Sequence, residues 1–406
     1  MVKKRDSAKA LYIHIPFCDQ ICNYCDFSKI YLQGQNVDTY LSALIAELAI
    51  YEKTVGFTNL RTIYIGGGTP TALTTKQLDR LFSSLHSVIN FSLLIEVSIE
   101  ANPENLHDIE KIACLKRNGV TRISLGVQTF HEKHLQILGR AHAKKDAVKV
   151  ITLLAKENFE INLDMIYGIP AQTLKDWESD LNTLLQLPIT HVSAYSLILE
   201  EHTKLHIDYM NSNLKLVDNE IEAQMFELAI DKLTIAGFEH YEISNFTKNK
   251  RSVHNMIYWK NDHYIGVGLG AHGHLAYTQK VEITLNANNI NIAREINENN
   301  SIRYENTRSI TSYKKILETG MLPILSSHAL TRDEQIEESM FLGMRLMEGI
   351  DLEQHLAKYQ VNIYDLYQPQ LDKLRNLGYV SLESGVLRLT RKGLLLANDV
   401  FAEFLL

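Results

Sequence analysis

Cysteine is scarce in this chain, with four among 406 residues. A secreted, disulfide-stapled fold would carry more of them on a shorter chain, so that class is excluded. No stretch approaches the roughly 20 consecutive apolar residues of a membrane-spanning helix. Positive charge is not in excess either. The net charge is −7, from 41 Lys and Arg against 48 Asp and Glu, which argues against a general nucleic-acid binder. The basic cluster Lys3-Lys4-Arg5 is short and has no apolar run behind it, so it reads as neither a signal peptide nor a transit sequence. Internal repeats and low-complexity tracts are missing. The expectation is a cytoplasmic protein with no transmembrane segment and no nucleic-acid partner. Hydrophobic residues make up 45% of the chain, and the length suffices for two or three domains with a large core.

What is present is a recurring pattern. Short β-branched runs at 11–16, 62–65, 95–99, 122–127, 161–166 and 192–199 alternate with amphipathic stretches such as 37–51, 75–89 and 143–157. Strand alternating with helix predicts parallel strands joined by crossovers. Six units fit an α/β fold built on a partial (β/α)6 TIM-like barrel; an open doubly wound sheet has the same local signature. Polar or glycine punctuation follows five successive runs: the cysteines, Gly66-Gly67-Gly68-Thr69-Pro70, Glu100 with Asn102, Gln128, and Asp164. In a barrel those positions share the carboxyl-end face, where chemistry gathers. Past residue 205 the pattern changes. A long helix over 219–236, a strand over 239–243 and a loop-rich segment precede an Asn-rich stretch over 281–308. Helices, a hairpin at 378–389 and a terminal helix over 391–404 predict a winged-helix-like module. The expected division is a tail (1–9), the barrel (10–245), a connecting segment (246–320) and a helical C-terminal domain (321–406).

Three of the four cysteines, Cys18, Cys22 and Cys25, stand within eight positions in a C-x3-C-x2-C spacing. Cys114, in a helical stretch over 108–116 among Ile109, Ile112 and Leu115, reads as a small core residue. Thiolates are the usual ligands of iron–sulfur clusters, and one loop can wrap a cubane. Three ligands for a [4Fe–4S] cube leave one iron open, which is what a reactive site needs. A Cys3His zinc site with His14, or inert thiols, are the alternatives from the residues alone; the second ligand pair usual for structural zinc does not follow.

With Gly66-Gly67-Gly68-Thr69-Pro70 behind it, the cysteine motif resembles that of the radical S-adenosylmethionine (SAM) superfamily. Within that superfamily the chain resembles the oxygen-independent coproporphyrinogen III dehydrogenase group, over nearly its whole length. The resemblance implies an electron donor and one-electron reduction of SAM to methionine and a 5′-deoxyadenosyl radical. It also implies a SAM site. Tyr12 and Tyr24 would flank the cluster, and Gly67, Gly68 and Thr69 would let the backbone approach methionine. Glu100 would face the cofactor's cationic end and Gln128 would hydrogen-bond it. Arg140 would pair with its carboxylate, and Asp164 would take the ribose hydroxyls.

Three features separate the group's dehydrogenases from its haem-chaperone subgroup. The dehydrogenases resembled here carry a further cysteine two positions after the third ligand, where this chain has Phe27. They also carry a long N-terminal extension, for which little room precedes the first run. Finally, His254-Asn255-Met256-Ile257-Tyr258-Trp259 matches the subgroup's H-N-x-x-Y-W motif, preceded by Tyr241-Glu242-Ile243-Ser244-Asn245-Phe246. The resemblance therefore implies haem as a ligand, held by His254, Tyr258 and Trp259, with His272 and His274 as competing ligands, and a haem-accepting partner protein. The alternative is a true enzyme that decarboxylates coproporphyrinogen III.

Overall fold

The computed structural model describes residues 8–276 and 301–406. The Lys3-Lys4-Arg5 cluster and residues 281–300 of the Asn-rich stretch lie outside the described residues. The six predicted runs form strands β1 (Ala10–Ile15), β2 (Thr62–Gly67), β3 (Glu96–Ala101), β4 (Arg122–Gln128), β5 (Glu160–Tyr167) and β6 (His191–Ser196). They pair in parallel, each with the next along the chain. Between them run helices α1 (Val37–Thr54), α2 (Thr75–Val88), α3 (Ile109–Arg117), α4 (Glu132–Leu138), α5 (Lys144–Lys156) and α6 (Leu174–Leu184). Local chemistry fixes their ends. Helix α2 starts with a reciprocal capping box between Thr74 and Gln77 and buries Leu78, Leu81, Phe82 and Leu85 at helical spacing. Full burial of each such side chain contributes about 1.5–3 kcal/mol.

Side chains alternate across each strand, and here the two faces differ in kind. Ile63 and Ile65, Val97 and Ile99, Ile123 and Leu125, and Ile161 and Leu163 enter one hydrophobic core with the helices. The opposite face carries Tyr12, His14, Tyr64, Glu96, Ser98, Glu100, Arg122, Ser124, Asn162, Asp164, His191 and Ser193. These bond to one another along and across the strands. The partial barrel is thus apolar outside and polar within.

The sheet continues at both ends. Strands β7 (Glu239–Glu242) and β8 (Asn245–Thr247) add antiparallel beyond β6. Strand β9 (Tyr264–Val267) pairs parallel with β1, and β10 (His272–Ala276), β11 (Ser301–Asn306) and β12 (Ile324–Ala329) follow antiparallel. Among the described residues this sheet has twelve strands, in the order β12-β11-β10-β9-β1-β2-β3-β4-β5-β6-β8-β7. Residues 264–267, 272–276 and 301–306, read from sequence as connecting segment or Asn-rich stretch, are therefore strands of the sheet. Tyr264–Val267 and His272–Ala276 are short and rich in Gly and His, and lack the alternation that would have marked them. Further helices among the described residues include α7 (Lys204–Met210), α8 (Asn219–Ile235) and α9 (Val253–Trp259). The last falls in the predicted loop-rich segment and is capped by Ser252.

Beyond β12 a module with its own core forms around Ile336, Met340, Tyr367, Leu371, Leu387 and Val400. It contains the predicted hairpin, Val380–Glu383 with Val386–Leu389, widened to three strands by Ile350–Asp351. The predicted terminal helix is two short ones, Arg391–Leu394 and Ala397–Ala402. No helix among the described residues is long and apolar enough to cross a membrane.

Candidate functional site

The cysteine loop leaves β1 and returns through a two-residue parallel pairing, Phe17–Cys18 with Ile30–Tyr31. It is fastened to the end of α4. The Asn23 amide N–H donates to Leu138 O at 2.9 Å, Asn23 Nδ2 to Ile137 O at 2.9 Å, and Gln20 Nε2 to Gly139 O at 2.8 Å. Gly139 ends α4 in the left-handed region, φ 70°, and a Cβ there would stand 2.8 Å from Asn23 Cγ. Cys18 is buried, and Cys22 and Cys25 are half-buried; all three are free thiols. Burial pushes the Cys18 thiol up to about 11 and raises Cys25 as well, so a bound metal would be what holds them as thiolates. Among the described residues no three His, Cys, Asp or Glu side chains converge on one ion. His14 has both ring nitrogens engaged, at 3.0 Å from Tyr12 Oη and 2.6 Å from Ser28 O. A mononuclear Cys3His zinc set is thereby disfavoured, whereas a cubane asks each thiolate to hold a different iron.

The residues singled out as SAM contacts line the carboxyl ends of the strands. Glu100 accepts from Tyr64 Oη and from the Gly67 N–H, each at 2.9 Å; burial pushes its carboxyl up to about 7. Tyr12 stacks on Tyr64, centroids 6.1 Å apart. The Gly66-Gly67-Gly68 turn leaves no space for side chains. A Cβ would lie 2.9 Å from Glu100 Oε1 at Gly66, 2.7 Å from the His14 ring at Gly67 and 2.8 Å from Cys18 Sγ at Gly68. Gln128, at φ 68° in a β-bulge, meets Arg140 and Asn102 over Gly126, where a Cβ would lie 2.9–3.0 Å from all three. Arg140 donates to Gly126 O at 2.5 Å, Asn102 Oδ1 at 2.7 Å and Cys22 Sγ at 3.3 Å, while its buried Nε has no partner. Asp164 accepts from Ser124 Oγ at 2.9 Å and Asn162 Nδ2 at 2.8 Å; burial raises its carboxyl too. Tyr24 packs with Leu138, Ile166, Ile169 and Leu205.

The His254–Trp259 segment is elsewhere, at the amino ends of the strands. Helix α9 presents its first turn to Glu96, whose carboxylate accepts from the Val253 N–H at 3.0 Å, the His254 N–H at 3.1 Å and Ser252 Oγ at 3.3 Å. Glu96 also pairs with Arg122 at 3.2 Å. The buried His254 ring bonds Thr62 Oγ1 at 2.8 Å and Tyr258 Oη at 2.7 Å. Burial lowers its pKa to about 3, so it is neutral. Trp259 lies under the Arg345 guanidinium, 4.4 Å from its ring centroid. Of the competing histidines, His274 is buried against Ser301 Oγ at 2.8 Å, and His272 is exposed beside Glu305 at 3.9 Å.

Residues 12–184 match the model of the radical SAM superfamily, and residues 330–396 that of the HemN C-terminal domain. The heme chaperone HemW of Bacillus subtilis is 38% identical over 98% of this chain and 99% of its own length. That of Lactococcus lactis is 38% identical over all of this chain and 99% of its own. The chain belongs to the HemW family. Its fold is also that of coproporphyrinogen III oxidase (HemN) from Escherichia coli, with a TM-score of 0.79 at 21% identity over all of this chain and 91% of that one.

Membership of the superfamily implies a [4Fe–4S] cluster and SAM, and the HemW-family site fits them. Three thiols share one loop, a glycine turn brings its backbone against Cys18, and a guanidinium with a buried free donor reaches Cys22. Several residues of this site went unnoticed in the sequence. Asn162, Ser124, Ser193 and His191 form the polar bed under Asp164, and Glu96 with Thr62 seats α9. Inward-facing polar residues in otherwise β-branched runs were the available signal.

Proposed function

We propose that the chain is a haem chaperone that holds a [4Fe–4S] cluster on Cys18, Cys22 and Cys25, binds SAM beside it, and passes haem to an acceptor protein. The observation that carries this reading is full-length likeness at 38% identity to relatives named heme chaperone HemW. Phe27, 62% exposed on the cysteine loop, supports it, because the resembled dehydrogenases have cysteine there. Cluster and SAM, when bound, supply one-electron reductive chemistry. The residues of this chain orient the SAM. Arg140 offers its free Nε to a carboxylate, Glu100 draws an ammonium group and ionises as it does so, and Asp164 accepts from hydroxyls. Haem would be held at the segment 254–259, against Tyr258 and Trp259. Ligation by His254 would require its Nε2 to leave Tyr258.

Haemin titration of the anaerobically reconstituted chain tests this. A saturable Soret shift is expected, lost in His254→Ala and strengthened in Tyr258→Phe, which frees Nε2 without removing the ring. No Soret change in the unmodified chain would sink the chaperone reading. In parallel, SAM, a reductant and coproporphyrinogen III should yield no decarboxylated porphyrin; steady turnover would instead favour the dehydrogenase, to which the polar barrel interior is also suited.

A further inference from the structure

Asn102 directly follows β3 and has no part in the reading above. It sits at the start of a short 3-10 turn but its side chain caps nothing there. Its Oδ1 accepts from Arg140 Nη2 at 2.7 Å and its Nδ2 donates to Thr69 Oγ1 at 3.1 Å. Thr69 Oγ1 in turn donates to Cys18 Sγ at 3.7 Å, and Arg140 Nη1 donates to Cys22 Sγ at 3.3 Å. One hydrogen-bonded arc thus runs from the sulfur of one cysteine to the sulfur of another, with Asn102 at its centre. The direction of each bond is fixed by chemistry. A guanidinium has only donors, so Asn102 must turn its oxygen to Arg140 and its NH2 to Thr69. A hydroxyl has a single hydrogen; with Asn102 donating to its oxygen, that hydrogen is left for the sulfur. Cys25 receives its own backbone donor from Phe27, independently of the arc.

We propose that Asn102 is a positioning residue that sets the reduction potential of the cluster, by holding donors on the Cys18 and Cys22 sulfurs. The inference rests on the cluster part of the proposed function and not on haem. A hydrogen bond to a ligating sulfur withdraws charge from it and favours the more negative, reduced cluster, so the arc raises the potential. Asn102→Ala releases both donors; Thr69→Val removes one while keeping the shape of the side chain.

The test uses the full chain, reconstituted without oxygen. Iron and acid-labile sulfide are counted per chain, and the cluster is titrated by EPR-monitored redox potentiometry without SAM. The expected result for Asn102→Ala is a full cluster whose ratio of reduced to oxidised form, at fixed applied potential, falls about tenfold, equivalent to about 59 mV for a one-electron couple. Thr69→Val should fall by less, and the double variant by less than the sum of the two. Full clusters with unchanged potentials in both single variants would overturn the proposal. If Asn102→Ala takes up no cluster, Thr69→Val decides by the same criterion; if neither loads while the unmodified chain does, the arc is structural and the proposal falls. An unmodified chain that binds no cluster removes the reading of the cysteines themselves, a separate outcome seen in the iron count.

Discussion

Single residues in this molecule are tuned chiefly by burial. Glu47 of α1 is fully buried and accepts from the Gly268 N–H at 2.9 Å, Asn306 Nδ2 at 2.7 Å and the Tyr313 hydroxyl. It fastens the Gly268–Gly270 turn beside β1 to the helical layer. Burial outweighs these bonds and raises its carboxyl from 4.5 to about 7. The folded state therefore holds a proton that the unfolded chain has released. Stability is greatest below about pH 4.5 and falls as pH rises through 7, by on the order of 3 kcal/mol from this group. Glu100 and Asp180, raised to about 7 and about 6 by burial, act in the same sense. Glu47→Gln should flatten part of that decline. Urea unfolding at pH 5 and pH 8 would show it, and an unchanged slope would refute the assignment.

At the scale of elements, α9 matters most. A two-turn helix has little stability of its own, and its first N–H groups need acceptors. Glu96, from the start of β3, supplies them from within the barrel, while Arg122 balances its charge and donates to the carbonyls of Lys250 and Arg251. Glu96→Ala would leave Arg122 buried without its carboxylate, at a cost of about 3–5 kcal/mol. Urea midpoints should fall accordingly, with amide exchange accelerated over 253–256 and less so in Glu96→Gln. If exchange there stays slow in Glu96→Ala, the helix is held by something other than its cap.

Across the whole molecule, the C-terminal module meets the barrel at the sheet's edge. The Ile243 N–H donates to Arg345 O at 3.1 Å and the Met347 N–H to Tyr241 O at 3.0 Å. Arg345 also reaches the buried Glu242 at 3.3 Å while covering Trp259. One side chain therefore joins the Tyr241–Phe246 motif, the His254–Trp259 motif and the module. Arg345→Ala should destabilise by about 1–3 kcal/mol and redden the Trp259 emission, with the core-buried Trp177, the other of the two tryptophans, unaffected. Coincident, unaltered spectra would show that the two motifs do not depend on this contact.

The six strands, their helices and the cysteine loop were legible along the chain because each is a local pattern: β-branched runs, helical spacing, glycine turns and three thiols within eight positions. The residues at the strand ends were legible too, since a parallel barrel brings all carboxyl ends to one face. Tertiary structure alone decided the rest. Pairing of β9 with β1 and of β8 with β6 joins residues far apart in sequence, and no local period encodes it. The His254–Trp259 motif was legible as a motif, but only the fold shows that a buried carboxylate from β3 seats it at the amino ends of the strands, with both imidazole nitrogens engaged. Asn102 looked like a strand terminus, and only the approach of Thr69 from the end of β2 and of Arg140 from the end of α4 gives its amide two partners. The cysteines were plain from the sequence because their spacing is covalent; the donors around them depend on distances that exist only once the chain has folded.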